Sequence, residues 1–288
     1  MKKIFFSAFI FVVFFTSSSF SPALSQTVST NLVADLSGFN TQNSFALGVL
    51  FKIKPGWHIY WQNPGDSGLP TRINFDLPVN FKQGETIWPV PKSIERSGNI
   101  IDYGYENEVL LWKIIKLPDG YSAQNKIPVK ANINWVSCKE VCKPGNSTLE
   151  IEIDPANAAA QSSTELFDKW KKLVPKKSNN DFSYHTTNTS TDGNSTNFTI
   201  NIDLDNISTD NLQWFPDPGR ELKVSNISHE IIDGGQKAKI NFSASLYPGK
   251  MLSSPYMKSV VVMRNNQGER KSYTMNVEVI EVLKKQSK

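Results

Sequence analysis

The chain has 288 residues, a formal charge of +4 at neutral pH, and only two cysteines and three histidines. That length accommodates two ordinary domains. A nearly balanced charge argues against a nucleic-acid partner, which would need a concentrated basic surface, and so few cysteines and histidines do not make the usual zinc spacing.

The first element is a targeting signal. Lys2 and Lys3 precede an almost wholly apolar run over residues 4–15, Ser-rich residues follow, and Ala23-Leu24-Ser25 is a small-x-small cleavage pattern. This predicts a secretory signal peptide over residues 1–25, cut before Gln26. The run is too short to span a bilayer comfortably. Its removal would leave 263 residues and a charge of +2, because Lys2 and Lys3 leave with it. The remainder is expected in an oxidising, exported compartment, where cysteines pair.

Period-two alternation dominates the next part. Phe45, Leu47, Val49, Phe51 and Ile53 form one row, and Ile73, Phe75 and Leu77 a second. Residues 109–117 are a near-continuous apolar strand. Ile127, Val129, Ala131, Ile133 and Trp135 lead directly into the cysteines, and Leu149, Ile151 and Ile153 return. Turns are predicted at Lys54-Pro55-Gly56, Asn63-Pro64-Gly65-Asp66, Pro118-Asp119-Gly120 and Pro144-Gly145. Short strands so punctuated predict a β-sandwich over residues 26–156.

Residues 157–180 read as a helix and a polar linker. Ser162 and Glu165 have capping-box spacing, and Leu166, Phe167, Trp170, Leu173 and Val174 share one helical face before Pro175. Residues 181–288 alternate again: Phe198, Ile200, Ile202 and Leu204; Ala238, Ile240, Phe242 and Ala244; Tyr273, Met275, Val277 and Val279. The Thr/Asn/Ser-rich stretch 184–197 reads as a mobile loop. The fold class expected is all-β, two sandwich domains joined by a short helix and linker.

The chemistry centres on Cys138 and Cys142, four residues apart. A helical turn would bring them within bridging distance. As a staple the bridge is weak, since closing a loop of about five residues removes only about 2 kcal/mol of chain entropy. A redox-active pair is therefore favoured over a structural bridge or a soft-metal site; a Cu(I) ion could use both thiolates. Lys139 and Lys143 would favour a thiolate and Glu140 would oppose it. Trp57-His58-Ile59-Tyr60-Trp61 and Tyr103-Gly104-Tyr105 concentrate aromatic rings in the same half. His58, Tyr60, Tyr103 and Tyr105 are candidates to line a cleft that shields the cysteines, with His58 a candidate proton carrier. The remaining rings are expected at inward strand positions. No cofactor and no metal ligand set is expected.

Four separated motifs resemble a known family. They are residues 55–70 (PGWHIYWQNPGDSGLP), Trp88-Pro89-Val90-Pro91, Tyr103-Gly104-Tyr105-Glu106, and Trp135-Val136-Ser137-Cys138 through Cys142-Lys143-Pro144. In this order they are similar to the N-terminal periplasmic domain of DsbD-type thiol:disulfide interchange proteins, nearer the branch linked with suppression of copper sensitivity. The resemblance covers about residues 28–154. It implies immunoglobulin-like sandwiches, periplasmic localisation and a redox-active disulfide between Cys138 and Cys142. It implies dithiol–disulfide exchange that carries electrons from a membrane-embedded thiol donor, encoded separately here, to periplasmic thiol–disulfide proteins. The associated processes are cytochrome c biogenesis and copper tolerance, and the reaction class is that of a protein-disulfide reductase. The family's cap loop falls at about residues 92–101, which lack the aromatic residue of better-known members. The competing reading is a non-enzymatic periplasmic binding or copper-handling module with a structural disulfide.

Overall fold

The computed structural model describes residues 27–178, 181–192, 194–205, 208–265 and 267–283; the expected signal peptide lies outside them. The first half forms β1 (Val28–Asp35), a short α1 (Phe39–Gln42), β2 (Ser44–Ile53), β3 (His58–Gly65), β4 (Arg72–Asp76), β5 (Lys82–Gln83), β6 (Lys92–Arg96), β7 (Ile100–Glu106), β8 (Glu108–Lys116), β9 (Ile127–Cys138) and β10 (Cys142–Ile153). One sheet has the order β1-β2-β8-β5. The other has the order β10-β9-β3-β7-β6, with β4 added to β9.

The alternating rows become the interior of this sandwich. Phe51 of the first sheet meets Trp135 of the second edge to face, with ring centroids 6.1 Å apart. Residues on β9 alternate from buried Ile127 to buried Trp135 with more exposed residues between. The continuous apolar run of β8 has a different cause, because its strand is covered on both faces. Val109, Leu111 and Ile115 pair with inward Phe51, Val49 and Phe45, whereas Trp112 packs at 6.0 Å against Phe167 of a helix outside the sheet. Gly48 sits opposite Trp112, where an added Cβ would come within 2.9 Å of the Trp112 Cβ.

That helix is α3 (Thr164–Lys171), which follows α2 (Ala158–Gln161). It buries Phe167 and Trp170. Its N-cap is Ser163, without a side-chain capping bond, so the capping box predicted from Ser162 and Glu165 does not form. The Ser162 hydroxyl is used elsewhere: it accepts from the Leu36 amide at 3.0 Å and donates to the buried Asp35 carboxylate at 3.2 Å. Asp35 also receives Thr164 and Lys171, so this network ties α3 to β1.

The second half contains β11 (Lys176–Lys177), β12 (Ser183–Asp192), β13 (Ser195–Asp203), β14 (Asn211–Asp217), β15 (Leu222–Ile232), β16 (Lys237–Leu246), β17 (Tyr256–Arg264), β18 (Arg270–Glu278) and a final short α4 (Ile280–Leu283). Its sheets have the orders β11-β18-β17-β14 and β12-β13-β16-β15. Phe198 and Phe242 stack at 5.1 Å, and Trp214 from the other sheet meets Phe242 at 5.0 Å. The two-sandwich, all-β expectation therefore holds. Among the described residues no helix is long and apolar enough to cross a membrane.

Three local expectations change. Residues 184–197 form most of a hairpin rather than a mobile loop, with β12 paired to β13 from Ser183↔Asp203 to Asp192↔Ser195. Thr186, Thr187 and Thr189 are β-branched and favour extended backbone, and the edge position lets both faces stay polar. Part of the polar linker is also extended, with Lys176 and Lys177 paired in parallel to β18. Pro144 and Gly145 lie inside β10, and the chain reverses through Lys139, Glu140 and Val141 instead. Pro144 is tolerated because β10 is an edge strand and its missing N–H leaves no ladder partner unsatisfied.

Candidate functional site

Cys138 ends β9 and Cys142 begins β10, and the hairpin register sets them directly opposite each other. They form a disulfide with a Cα–Cα separation of 4.1 Å. The bridge is made across a strand hairpin, not within a helical turn. The two sulfurs have unequal surroundings: Cys138 is fully buried, while Cys142 is exposed.

The strands beside Cys138 supply its neighbours. His58 on β3 is paired with Cys138, and strand alternation places His58 and Tyr60 on the same face. The Tyr60 hydroxyl lies 2.9 Å from Cys138 Sγ and 3.9 Å from Cys142 Sγ. It also lies 3.2 Å from Asp102 Oδ2. Tyr60 itself is fully buried. Gly68, at φ +74°, lies flat against its ring, where a Cβ would clash with ring carbons. The glycine thus serves both the left-handed turn and the packing of the tyrosine.

Asp102 on β7 is the polar centre of the site. It is fully buried, yet its carboxylate accepts from four side chains. Ser67 Oγ donates to Oδ1 at 2.7 Å. Tyr60, Arg96 Nη1 and His58 Nε2 each lie 3.2 Å from Oδ2. A carboxylate cannot donate, so the His58 contact places the ring proton on Nε2. Burial pulls the His58 pKa below its ordinary 6.5, and the attraction of Asp102 offsets only part of this. His58 is therefore a neutral donor near pH 7. Burial, with the Asp102 charge adding to it, pushes the Tyr60 hydroxyl above its ordinary pKa, so Tyr60 keeps its proton.

The stretch at residues 92–101 forms the β6–β7 hairpin. No aromatic ring caps the disulfide from it. Arg96 takes that position, with Nη1 3.9 Å from Cys142 Sγ and within 3.2 Å of both Ser67 and Asp102.

Tyr103 and Tyr105 lie elsewhere. Alternation along β7 sends them to the face opposite Asp102. Tyr105 is buried and donates to the Pro89 carbonyl at 2.6 Å, and burial pushes its pKa well up. Tyr103 packs against Phe215 of the second sandwich at 5.2 Å, with a pKa pushed up to about 12 by burial. The site thus joins His58 and Tyr60 to the cysteines, and adds Asp102, Arg96 and Ser67. Asp102 had a visible signal: it is a lone carboxylate inside the apolar run Ile100-Ile101-Asp102-Tyr103, where an unpaired charge would be costly. Arg96 and Ser67 gave no comparable signal, because only the tertiary fold brings them there. Among the described residues no cluster of three or more His, Cys, Asp or Glu could hold a metal ion.

Chemically, the arrangement offers one sulfur to solvent and one to a buried hydroxyl donor. An incoming thiolate can reach Cys142, and the electron pair released onto Cys138 would meet the Tyr60 O–H. Arg96 sets a positive charge beside Cys142. These features suit thiol–disulfide exchange.

Comparison with known proteins agrees with this chemistry. Residues 28–152 match the family model described as the N-terminal domain of the thiol:disulfide interchange protein DsbD. The crystal structure of the N-terminal periplasmic domain of ScsB from Proteus mirabilis superposes with a TM-score of 0.65 at 18% identity, covering 88% of this chain and 94% of that one. The fold is thus shared across both sandwiches. The reduced DsbD N-terminal domain of Neisseria meningitidis also matches, with 17% identity, a TM-score of 0.27, and coverage of 38% of this chain and 78% of that one. No curated protein matches the sequence. Residues 28–152, whose last hairpin carries the Cys138–Cys142 disulfide, are thus similar to the N-terminal domain of DsbD.

Proposed function

We propose that this protein is an exported thiol–disulfide exchange protein that passes reducing equivalents from a membrane-embedded thiol donor to periplasmic protein disulfides. The division of labour follows the chain: residues 1–25 direct export, 26–156 carry the redox pair, 157–180 connect, and 181–288 form the second sandwich. The observation that carries the reading is the asymmetry of the disulfide, with Cys142 exposed and Cys138 buried 2.9 Å from the Tyr60 hydroxyl.

In the reductive half, a donor thiolate forms a bond to Cys142 Sγ while the Cys138–Cys142 bond breaks. The electron pair of that bond stays on Cys138, where Tyr60 donates a hydrogen bond. The donor's second thiolate then attacks the donor sulfur of the mixed disulfide and releases Cys142 as a thiolate beside Arg96. The donor leaves as a disulfide, and two electrons have entered the pair. In the oxidative half, the Cys142 thiolate attacks a substrate disulfide, and Cys138 resolves the mixed disulfide by attacking Cys142. Leu69 and Val141, 64% and 62% exposed, follow Gly68 and precede Cys142 in sequence, and give a partner apolar surface near the exposed sulfur.

The test is trapping. Cys138→Ser should leave Cys142 joined to a partner thiol protein, seen as a reducible higher-mass species, while Cys142→Ser should trap little. A Cys138–Cys142 reduction potential between roughly −180 and −270 mV would agree with exchange, whereas a value well below about −300 mV would mark a stable structural bridge.

A further inference from the structure

We propose that the segment Phe215-Pro216-Asp217 of the second sandwich is a positioning element for the disulfide site, holding the strands of Tyr60 and Asp102 from their reverse side. The geometry stands alone; its meaning for redox chemistry rests on the exchange reading above.

Trp61 follows Tyr60 and Tyr103 follows Asp102. Each therefore projects from the face of its strand opposite the site residue. Phe215 packs on both, with ring centroids 6.3 Å from Trp61 and 5.2 Å from Tyr103, each edge to face. All three rings are buried. Phe215 is paired with Val260 across β14 and β17, and Val260 and Val262 belong to the apolar core of the first sandwich. The second sandwich thus inserts an apolar strip beneath the two strands that carry the site.

Polar contacts continue along the same segment. Gln62 Nε2 donates to Asp217 Oδ2 at 2.9 Å, and Asn63 Nδ2 donates to the Pro216 carbonyl at 2.7 Å. The chain then runs into the site. Asn63 Oδ1 accepts from the Gly65 amide at 3.2 Å, Asp66 accepts from the Ile101 amide at 2.8 Å, and Ser67 donates to Asp102 at 2.7 Å. Residues 61–68 are therefore fixed at one end on the second sandwich and at the other on Asp102 and the Tyr60 ring. A spacer domain would need only its covalent linker. Here side-chain contacts converge on the two strands from which Tyr60 and Asp102 project. Hydrogen-bond strength falls steeply with distance and angle, so a small shift of these strands changes what the Cys138 sulfur meets.

The experiment is a double-mutant cycle on the full chain. Wild type, Phe215→Ala, Tyr60→Phe and the double variant are equilibrated in dithiothreitol redox buffers, and the disulfide-opening equilibrium constant and rate are read by thiol trapping. Phe215→Ala is expected to change the equilibrium constant threefold or more, and Tyr60→Phe is expected to remove most of that effect, because contacting or coupled sites are non-additive. An equal factor in both backgrounds overturns the proposal. So does a lowered urea midpoint with an unchanged constant and rate. Asn63→Ala leaves the apolar strip intact and covers the case in which Phe215→Ala does not fold; it should shift the constant in the same direction, and no shift counts against the role. Asp217→Asn keeps an acceptor for Gln62 and should resemble wild type, whereas Asp217→Ala should not; identical behaviour of the two removes the polar part. A wild type that traps no partner would sink the exchange reading yet leave this cycle readable. A silent cycle in a protein that does trap partners would sink the positioning role alone.

Discussion

The Tyr60 hydroxyl lies 2.9 Å from Cys138 Sγ and has only one proton to give. Its other acceptor, Asp102 Oδ2 at 3.2 Å, is a carboxylate and outcompetes a disulfide sulfur, which is a weak acceptor. When Cys138 becomes a thiolate the two acceptors are comparable, and Ser67, Arg96 and His58 still satisfy Asp102. The hydroxyl can then turn to the sulfur without leaving a buried charge unpaired.

Tyr60→Phe should therefore destabilise the reduced form more than the oxidised one. Hydrogen bonds to charged groups contribute about 1.5–3 kcal/mol, and about 1.4 kcal/mol corresponds to 30 mV for this two-electron couple. The expected outcome is a reduction potential more negative by roughly 30–60 mV, with slower opening by dithiothreitol. An unchanged potential would show that the hydroxyl does not bind the reduced sulfur.

Asp102 is fully buried and pairs with Arg96, whose side chain is partly exposed. Arg96→Met removes the one permanent cation on a carboxylate with no solvent exposure. Breaking a fully buried pair from one side costs about 3–5 kcal/mol; the loss here should be smaller, because Arg96 is partly solvated and Ser67, Tyr60 and His58 still donate to Asp102. The double variant Arg96→Met/Asp102→Asn should recover part of this loss, because no buried charge then remains unpaired. Urea unfolding of both proteins checks it; equal losses would show that the carboxylate is already satisfied without Arg96.

The low pKa of His58 makes stability depend on pH in a definite direction. The unfolded imidazole takes its proton near the ordinary 6.5, and the folded one only at lower pH. Between those values the unfolded chain binds more protons, so stability falls as pH falls. The contribution is complete above pH 6.5 and is lost downward from there. Asp35 acts in a separate window. Burial alone would push its carboxyl up, but hydrogen bonds from Ser37, Thr164 and Lys171 hold it below the ordinary 3.8. Its contribution is complete above that value and is lost on further acidification. Denaturation midpoints measured between pH 7 and 5 should decline for wild type and stay flat for His58→Gln.

Much of this fold was legible because period-two rows such as Ile127 to Trp135 are set by one buried face of a sheet. The cysteine pair was legible for the same reason, since the row runs straight into Cys138. The turn was harder: Pro144-Gly145 has turn composition, but an edge strand accommodates proline, and the reversal falls at Lys139–Val141 instead. Tyr103 and Tyr105 were grouped with Tyr60 by ring type, although the faces of β7 separate them from Asp102. The clamp from Phe215 was not legible, because it joins residues more than a hundred positions apart through packing alone.

The helix outside the first sandwich supplies the last test. Phe167 is fully buried against Trp112, which lies on the outer face of β8. If α3 only decorated the sheet, its loss would leave a sandwich already closed by Phe51 and Trp135. Gly48 argues otherwise, since its missing side chain makes room for Trp112 to lie on that outer face. The layer made by Trp112, Phe167 and Trp170 is therefore part of the core. Phe167→Ala should cost about 3–5 kcal/mol, the usual loss for truncating a buried aromatic ring. The Cys138–Cys142 potential should stay unchanged, because Phe167 packs on the opposite sheet from the disulfide. A chevron or urea titration gives the first quantity and thiol trapping the second; a shifted potential would mean that strain passes between the two sheets.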